Sequence, residues 1–236
     1  MIPLTCKHGP GAIGLYTNAL GRYSNWIICL TNLQVPSGSA PMWVTGASIT
    51  DNTTSLFKSF LSIPQLEWIF LLPDDHTFAP EILINLLDRN VDVIAPLCVN
   101  RTIPLEPSVR DSRRQPRPLS TMPLSGTFKL EPDWHVGDAG MLLKRKVIEQ
   151  TGPPWRSGMM PDPETYPCDV YYCKKLQAAG FDVWIDVDNV IGHTGSVTYI
   201  PVKTESGWAV ELQTAAANRI AILRPQVESA NAGGQG

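Results

Sequence analysis

The chain has 236 residues, 43% of them hydrophobic, and a formal net charge of −3, the length and composition expected of one soluble globular domain. No apolar run approaches the roughly 18 residues of a membrane span, and the slight negative charge argues against a dedicated nucleic-acid binder. Five cysteines, an odd number without a zinc-type CxxC pair, and an N-terminus broken early by Lys7, His8 and Gly9, suggest a reduced, cytoplasmic protein.

In chain order, Met1 to Cys6 reads as a short strand ended by Gly9-Pro10-Gly11. Trp26 to Leu30 is a second apolar run, and residues 34–41 read as a loop rich in Pro, Gly and Ser. Leu56, Phe57, Phe60 and Leu61 recur at helical spacing over 53–61, and Pro64 stops that helix. Leu66 to Leu72 is nearly all apolar, as in a strand buried on both faces. Pro80 opens a helix with Ile82, Leu83, Leu86 and Leu87 on one side, and Val91 to Val99 is another buried strand. Alternating strands and helices predict an α/β domain over 1–227, a Rossmann-like, mostly parallel sheet flanked by helices.

Residues 101–118 carry five arginines and four prolines and read as a mobile surface loop. Residues 134–143 return to the sheet, with a short helix beginning near Lys144. A helix over 170–179 is capped by Gly180, and Phe181, Val183 and Ile185 alternate as in a half-buried strand. A last helix is expected over 206–223, and the low-complexity tail 228–236 is expected to be disordered.

Four spots are candidates for chemistry. Gly9 to Gly14 fits G-x-G-x-x-G, but no acid follows about 20 positions later and Pro10 removes a backbone donor, so it reads as an ordinary Gly-rich loop. Asp74-Asp75-His76 ends a buried strand, where ligands of open α/β sheets gather, and hard oxygens there suit Mg2+ or Mn2+. A solvated turn capping the next helix explains the same residues. His193, between Gly192 and Gly195, is either a ligand approached by backbone or a hydrogen-bonded structural histidine. Asp169, ahead of an amphipathic helix, is either its N-cap or a general base.

Taken together, LEWIFLLPDDHTFAPEILINLL, WHVGDAGMLLKRKVIEQTG, CDVYYCKKLQAAGFDVWIDVDNVIGHTG and VTGASITDNTTSLFKSFL resemble nucleotide-sugar glycosyltransferases of the GT-A fold, family 2-like, over about residues 43–100 and 134–195. The resemblance implies a UDP- or GDP-sugar donor and Mn2+ or Mg2+ held by Asp75 and His193, with Pro73 where relatives carry the first acid. It implies that Asp169 is the base that deprotonates an acceptor hydroxyl. It places Asp74, Asp138, Thr5, Lys7 and the Asp51-Asn52 pair, which lacks the Arg common in relatives, around the donor. One base without a second nucleophilic carboxylate favours inversion. Trp134 and Trp155 are candidate sugar-stacking faces. Other readings are a nucleotidyltransferase, a non-catalytic sugar- or nucleotide-binding protein, and a nucleic-acid acceptor contacted by the 101–118 arginines.

Overall fold

A computed structural model describes residues 1–17, 24–46, 48–101, 105–111, 113, 115–153, 168–195, 197–213 and 219–223; the side chains of 168–170, 219 and 220 lie outside it. The N-terminal half contains β1 (Ile2–Leu4), β2 (Ala12–Thr17), α1 (Ser24–Asn32), β3 (Gln34–Pro36), β4 (Ala40–Thr45) and α2 (Ile49–Leu61). It continues with β5 (Trp68–Pro73), β6 (His76–Phe78), α3 (Ile82–Asp88) and β7 (Val93–Cys98). Then come β8 (Thr127–Lys129), β9 (Leu142–Lys144), α4 (Arg145–Thr151) and α5 (Cys168–Ala178). Four strands close the described chain: β10 (Val183–Thr194), β11 (Thr198–Thr204), β12 (Gly207–Gln213) and β13 (Arg219–Leu223).

One mixed sheet of 11 strands organises the molecule, in the order β13-β12-β11-β10-β7-β9-β5-β2-β4, with β6 and β8 attached to β10. Within this sheet, among the described residues, only the β2–β4, β2–β5 and β7–β10 pairings are parallel. The other pairings in this sheet are antiparallel. The expected Rossmann-like, mostly parallel GT-A sheet is therefore not what forms. Two local causes account for the difference. The chain reverses at Gly140 (φ +71°), where a Cβ would come within 2.6 Å of Pro96, and β9 then runs down between β5 and β7. The C-terminal part folds as an antiparallel meander, so the helix expected over 206–223 is instead the hairpin pair β12–β13.

Local chemistry explains most of the other elements. The apolar run that forms β5 is buried over its first five residues. Ser48 caps α2 by accepting from the Asp51 N–H at 3.2 Å, so this helix starts four residues before the apolar spacing predicts. At the end of α5, Gly180 takes φ +85° and the Phe181 N–H returns to the Leu176 carbonyl at 3.0 Å, closing a Schellman motif. Trp26 to Leu30 is helical, with Trp26 and Leu30 buried. The segment Met1 to Cys6 supplies only β1, which pairs with β3 in a separate small sheet. The Gly-rich turn has a packing reason, since Cβ atoms at Gly9 and Gly11 would fall 2.2 Å from Glu67 and 2.1 Å from Trp68.

Strand alternation splits the interior into two cores. Ile69, Leu71, Val93, Ala95 and Leu97 meet Leu56, Phe57 and Phe60 of α2, Val147 and Ile148 of α4, and Leu176 of α5. Trp68, Phe70, Leu72 and Ile94 meet Trp26 and Leu30 of α1 and Ile82, Leu83 and Leu86 of α3. Each fully buried Leu or Phe contributes about 1.5–3 kcal/mol of burial free energy.

The described part of 101–118 is docked on this frame. Val109 is fully buried, Arg110 exchanges backbone hydrogen bonds with His135, and Arg117 lies over the rings of Phe128 (4.9 Å) and Trp134 (5.8 Å). Arg110 also pairs with Glu106 at 3.3 Å. Arg110 and Arg117 thus serve the fold, and Trp134 packs against Arg117. The tail 228–236 and Trp155 lie outside the described residues.

A buried ion pair fixes the irregular middle of β10. Asp186 is fully buried and accepts from Arg89 Nε (2.8 Å) and Nη2 (3.2 Å), the Asp188 and Asn189 N–H groups, and Asn189 Nδ2 (2.8 Å). These bonds hold the bulge between Asp186 and Val190, which sets the register of the strand that ends in His193 and Thr194. Losing one partner of a buried pair costs about 3–5 kcal/mol, and partial exposure of Arg89 favours the lower end. Arg89→Ala is therefore expected to lower the thermal midpoint by roughly 6–12 °C. A shift within about 2 °C would show that water or the neighbouring amides replace the guanidinium.

Candidate metal and ligand site

The site assembles where β5, β7 and β10 end. Pro73 closes β5, Asp74 and Asp75 form the turn, and His76 opens β6, which folds back onto β10. His76 and His193 are direct cross-strand partners. Opposed residues of an antiparallel pair share a face, so their rings stack with centroids 4.5 Å apart and planes 18° from parallel. The Thr194 N–H donates to the Asp75 carbonyl at 2.7 Å, tying the acidic turn to β10. Gly192 is the hinge of this contact, because a Cβ there would lie 2.5 Å from Thr77 Oγ1 and 2.7 Å from Thr198. Its small size thus serves strand packing.

Asp75 is the hub. Its Oδ2 lies 3.3 Å from His193 Nε2 and 3.0 Å from Arg101 Nη1, and its Oδ1 lies 2.7 Å from His76 Nδ1. Burial pushes this carboxyl's pKa up, but the hydrogen bond to His193 and the adjacent His76 ring outweigh burial and hold it well below the usual carboxylate range. Burial pushes the His76 imidazole below its ordinary 6.5, against the opposing pull of Asp75. His76 is therefore neutral at neutral pH, the form with a lone pair for a cation.

The contact between His76 and Asp75 is close but poorly directed: Nδ1 is enclosed and makes no hydrogen bond of proper geometry. A ring nitrogen and a carboxylate oxygen at contact distance call for a proton or a cation between them. Beneath them, at the end of β7, lies the buried Cys98. Donor atoms of His76, Cys98 and His193 all lie within 4.8 Å of one another. Burial, and then the charge of Asp75, push the Cys98 thiol up to about 12, so it is protonated at neutral pH. Imidazole and carboxylate together suit Mn2+ or Zn2+, while recruiting Cys98 requires a soft, zinc-like ion able to displace its proton.

The other residues singled out by sequence fall in three places. Asp138 lies in the turn before β9, at the same sheet edge as Asp75. Asp51 is exposed and Asn52 buried in the first turn of α2, after β4, two strands from β5, or about 10 Å by strand spacing. Asn52 Nδ2 donates to the Gly46 carbonyl at 3.2 Å, so its amide latches the turn between β4 and α2. Thr5 and Lys7 lie at the opposite edge, before β2 begins, and Lys7 pairs with Asp88 at 2.9 Å. They are correspondingly remote from the acidic turn, because the first strand of the main sheet is β2. Asp169 is the second residue of α5, and its side chain lies outside the described residues.

Sequence reasoning treated His76 as a mere neighbour, read Cys98 as part of a strand and counted Arg101 among loop charges. The available signal was position: each follows or ends a buried apolar run.

Among the described residues, no helix is long and apolar enough to cross a membrane, and Cys6, Cys29, Cys98 and Cys173 are free thiols. No protein-family model and no curated protein matches the chain. The fold is similar to that of a solved viral protein, described as A197 from STIV, at 9% identity. The likeness has a TM-score of 0.50 and covers 92% of this chain and 95% of that one. At that identity it speaks to the fold alone.

Proposed function

We propose that this chain transfers a sugar from a nucleotide-diphosphate donor to an acceptor hydroxyl, with a divalent cation held at the edge formed by Asp75, His76 and His193. The observation that carries the reading is the convergence of Asp75 and His193, which are 118 positions apart in sequence and 3.3 Å apart in space. The ends of β5, β7 and β10 bring Asp75, Cys98 and His193 to one edge of the sheet.

When bound, the cation would offset diphosphate charge and stabilise the leaving nucleotide. The side chains do the rest. His76 and His193 hold their rings by stacking, Asp75 is kept ionised, and Asp138 at the same edge is placed to orient the sugar. Asp169 takes the acceptor proton from the start of α5, and a single displacement inverts the anomeric centre. The free thiols suit a reduced, cytoplasmic setting.

A thermal-shift panel of UDP- and GDP-sugars, each with and without Mn2+, tests this reading. Stabilisation should require metal and nucleotide-sugar together. Equal stabilisation without metal would leave only a binding protein, and pyrophosphate release from a nucleoside triphosphate would make it a nucleotidyltransferase.

A further inference from the structure

Arg101 stands three residues beyond the end of β7, yet its guanidinium reaches back into the site. Nη1 donates to Asp75 Oδ2 and to the Thr194 carbonyl, both at 3.0 Å. The side chain is 44% exposed, and among the described residues no contact engages Nε or Nη2. Of the described side chains touching Asp75, it alone bears a permanent charge.

We propose that Arg101 is the diphosphate-binding cation of this site, resting on Asp75 until a metal ion takes over that carboxylate. The proposal rests on the transferase reading above and adds the group that recognises the ligand. Asp75 brings one negative charge to the site, which a divalent cation more than cancels. Arg101 then leaves the loaded site with a surplus positive charge, which suits the two negative charges of a nucleotide-sugar's diphosphate. Arg101 and the cation compete for the same Oδ2, so loading the site frees a guanidinium already at its rim. A planar guanidinium engages phosphate oxygens in pairs, which a lysine ammonium does not.

The test is calorimetric titration of wild type, Arg101→Gln and Arg101→Lys, first with Mn2+ alone, then with inorganic pyrophosphate and with UDP on the Mn2+-loaded proteins. Mn2+ alone should bind Arg101→Gln at least as tightly as wild type, because a competitor for Asp75 is gone. Pyrophosphate and UDP should then bind Arg101→Gln roughly 10- to 100-fold more weakly, as loss of charge-assisted hydrogen bonds implies, with Arg101→Lys between. Unchanged pyrophosphate affinity in Arg101→Gln, or a loss confined to Mn2+ binding, would make Arg101 a structural clip on Asp75 and overturn the proposal. If wild type binds neither Mn2+ nor Mn2+-pyrophosphate, the transferase reading falls with it. Tight pyrophosphate binding that depends on Arg101, without UDP binding, would support the guanidinium's role while contradicting the nucleotide donor.

Discussion

Asp75→Ala and His193→Ala are each expected to abolish metal-dependent binding of a nucleotide-sugar, a loss of at least about 100-fold, since even outer-shell changes cost 10–100-fold. The double variant should be scarcely worse than either single one. Both side chains converge on one point, Oδ2 of Asp75 lying 3.3 Å from Nε2 of His193, so either loss breaks the same site. Groups that act as a unit give strongly non-additive cycles. His76→Ala should behave alike, because the ring is the cross-strand partner of His193 and stacks on it. Nucleotide affinity measured with and without Mn2+ decides the matter. Independent, additive losses would mean that the histidines support the fold instead of a shared cation. Cys98→Ser separates metals: it should leave Mn2+-dependent binding intact and weaken only a zinc-type complex.

Asp169→Asn is expected to lower turnover by about 10²–10⁴-fold while leaving donor affinity nearly unchanged. The amide keeps the size of the carboxylate and an oxygen able to accept from the N–H groups of the first helical turn, so α5 should still start at Cys168. What disappears is the basic lone pair. A transfer assay run beside nucleotide titration makes the distinction. Equal losses of affinity and turnover would make Asp169 a structural cap.

The sequence revealed most where chemistry is local. The run at 66–72 is buried whichever way its neighbours lie, so β5 was readable, as was the Gly180 cap, which only a residue tolerant of φ +85° fills easily. Asp75 and His193 were visible because both follow predicted strands. Strand direction was not legible: β9 is only three residues, Leu142–Lys144, and nothing in them states that they run against β5 and β7. The C-terminal helix expectation failed because Trp208, Ala209, Val210 and Glu211 are all buried, and a strand covered on both faces shows no alternation to separate it from a helix. Arg101 and Cys98 were hidden for a different reason. Their partners are 22 or more positions away, and only the tertiary fold brings them together.

The central claim, that Asp75, His76 and His193 hold one divalent cation, is tested most directly by pulsed electron paramagnetic resonance of the protein loaded with Mn2+ and UDP. The account predicts hyperfine coupling to two imidazole nitrogens at a single manganese in wild type, and loss of the imidazole-coupled signal in His193→Ala and in His76→Ala. A spectrum with phosphorus coupling alone, unchanged by either substitution, would place the metal on the nucleotide and contradict the site.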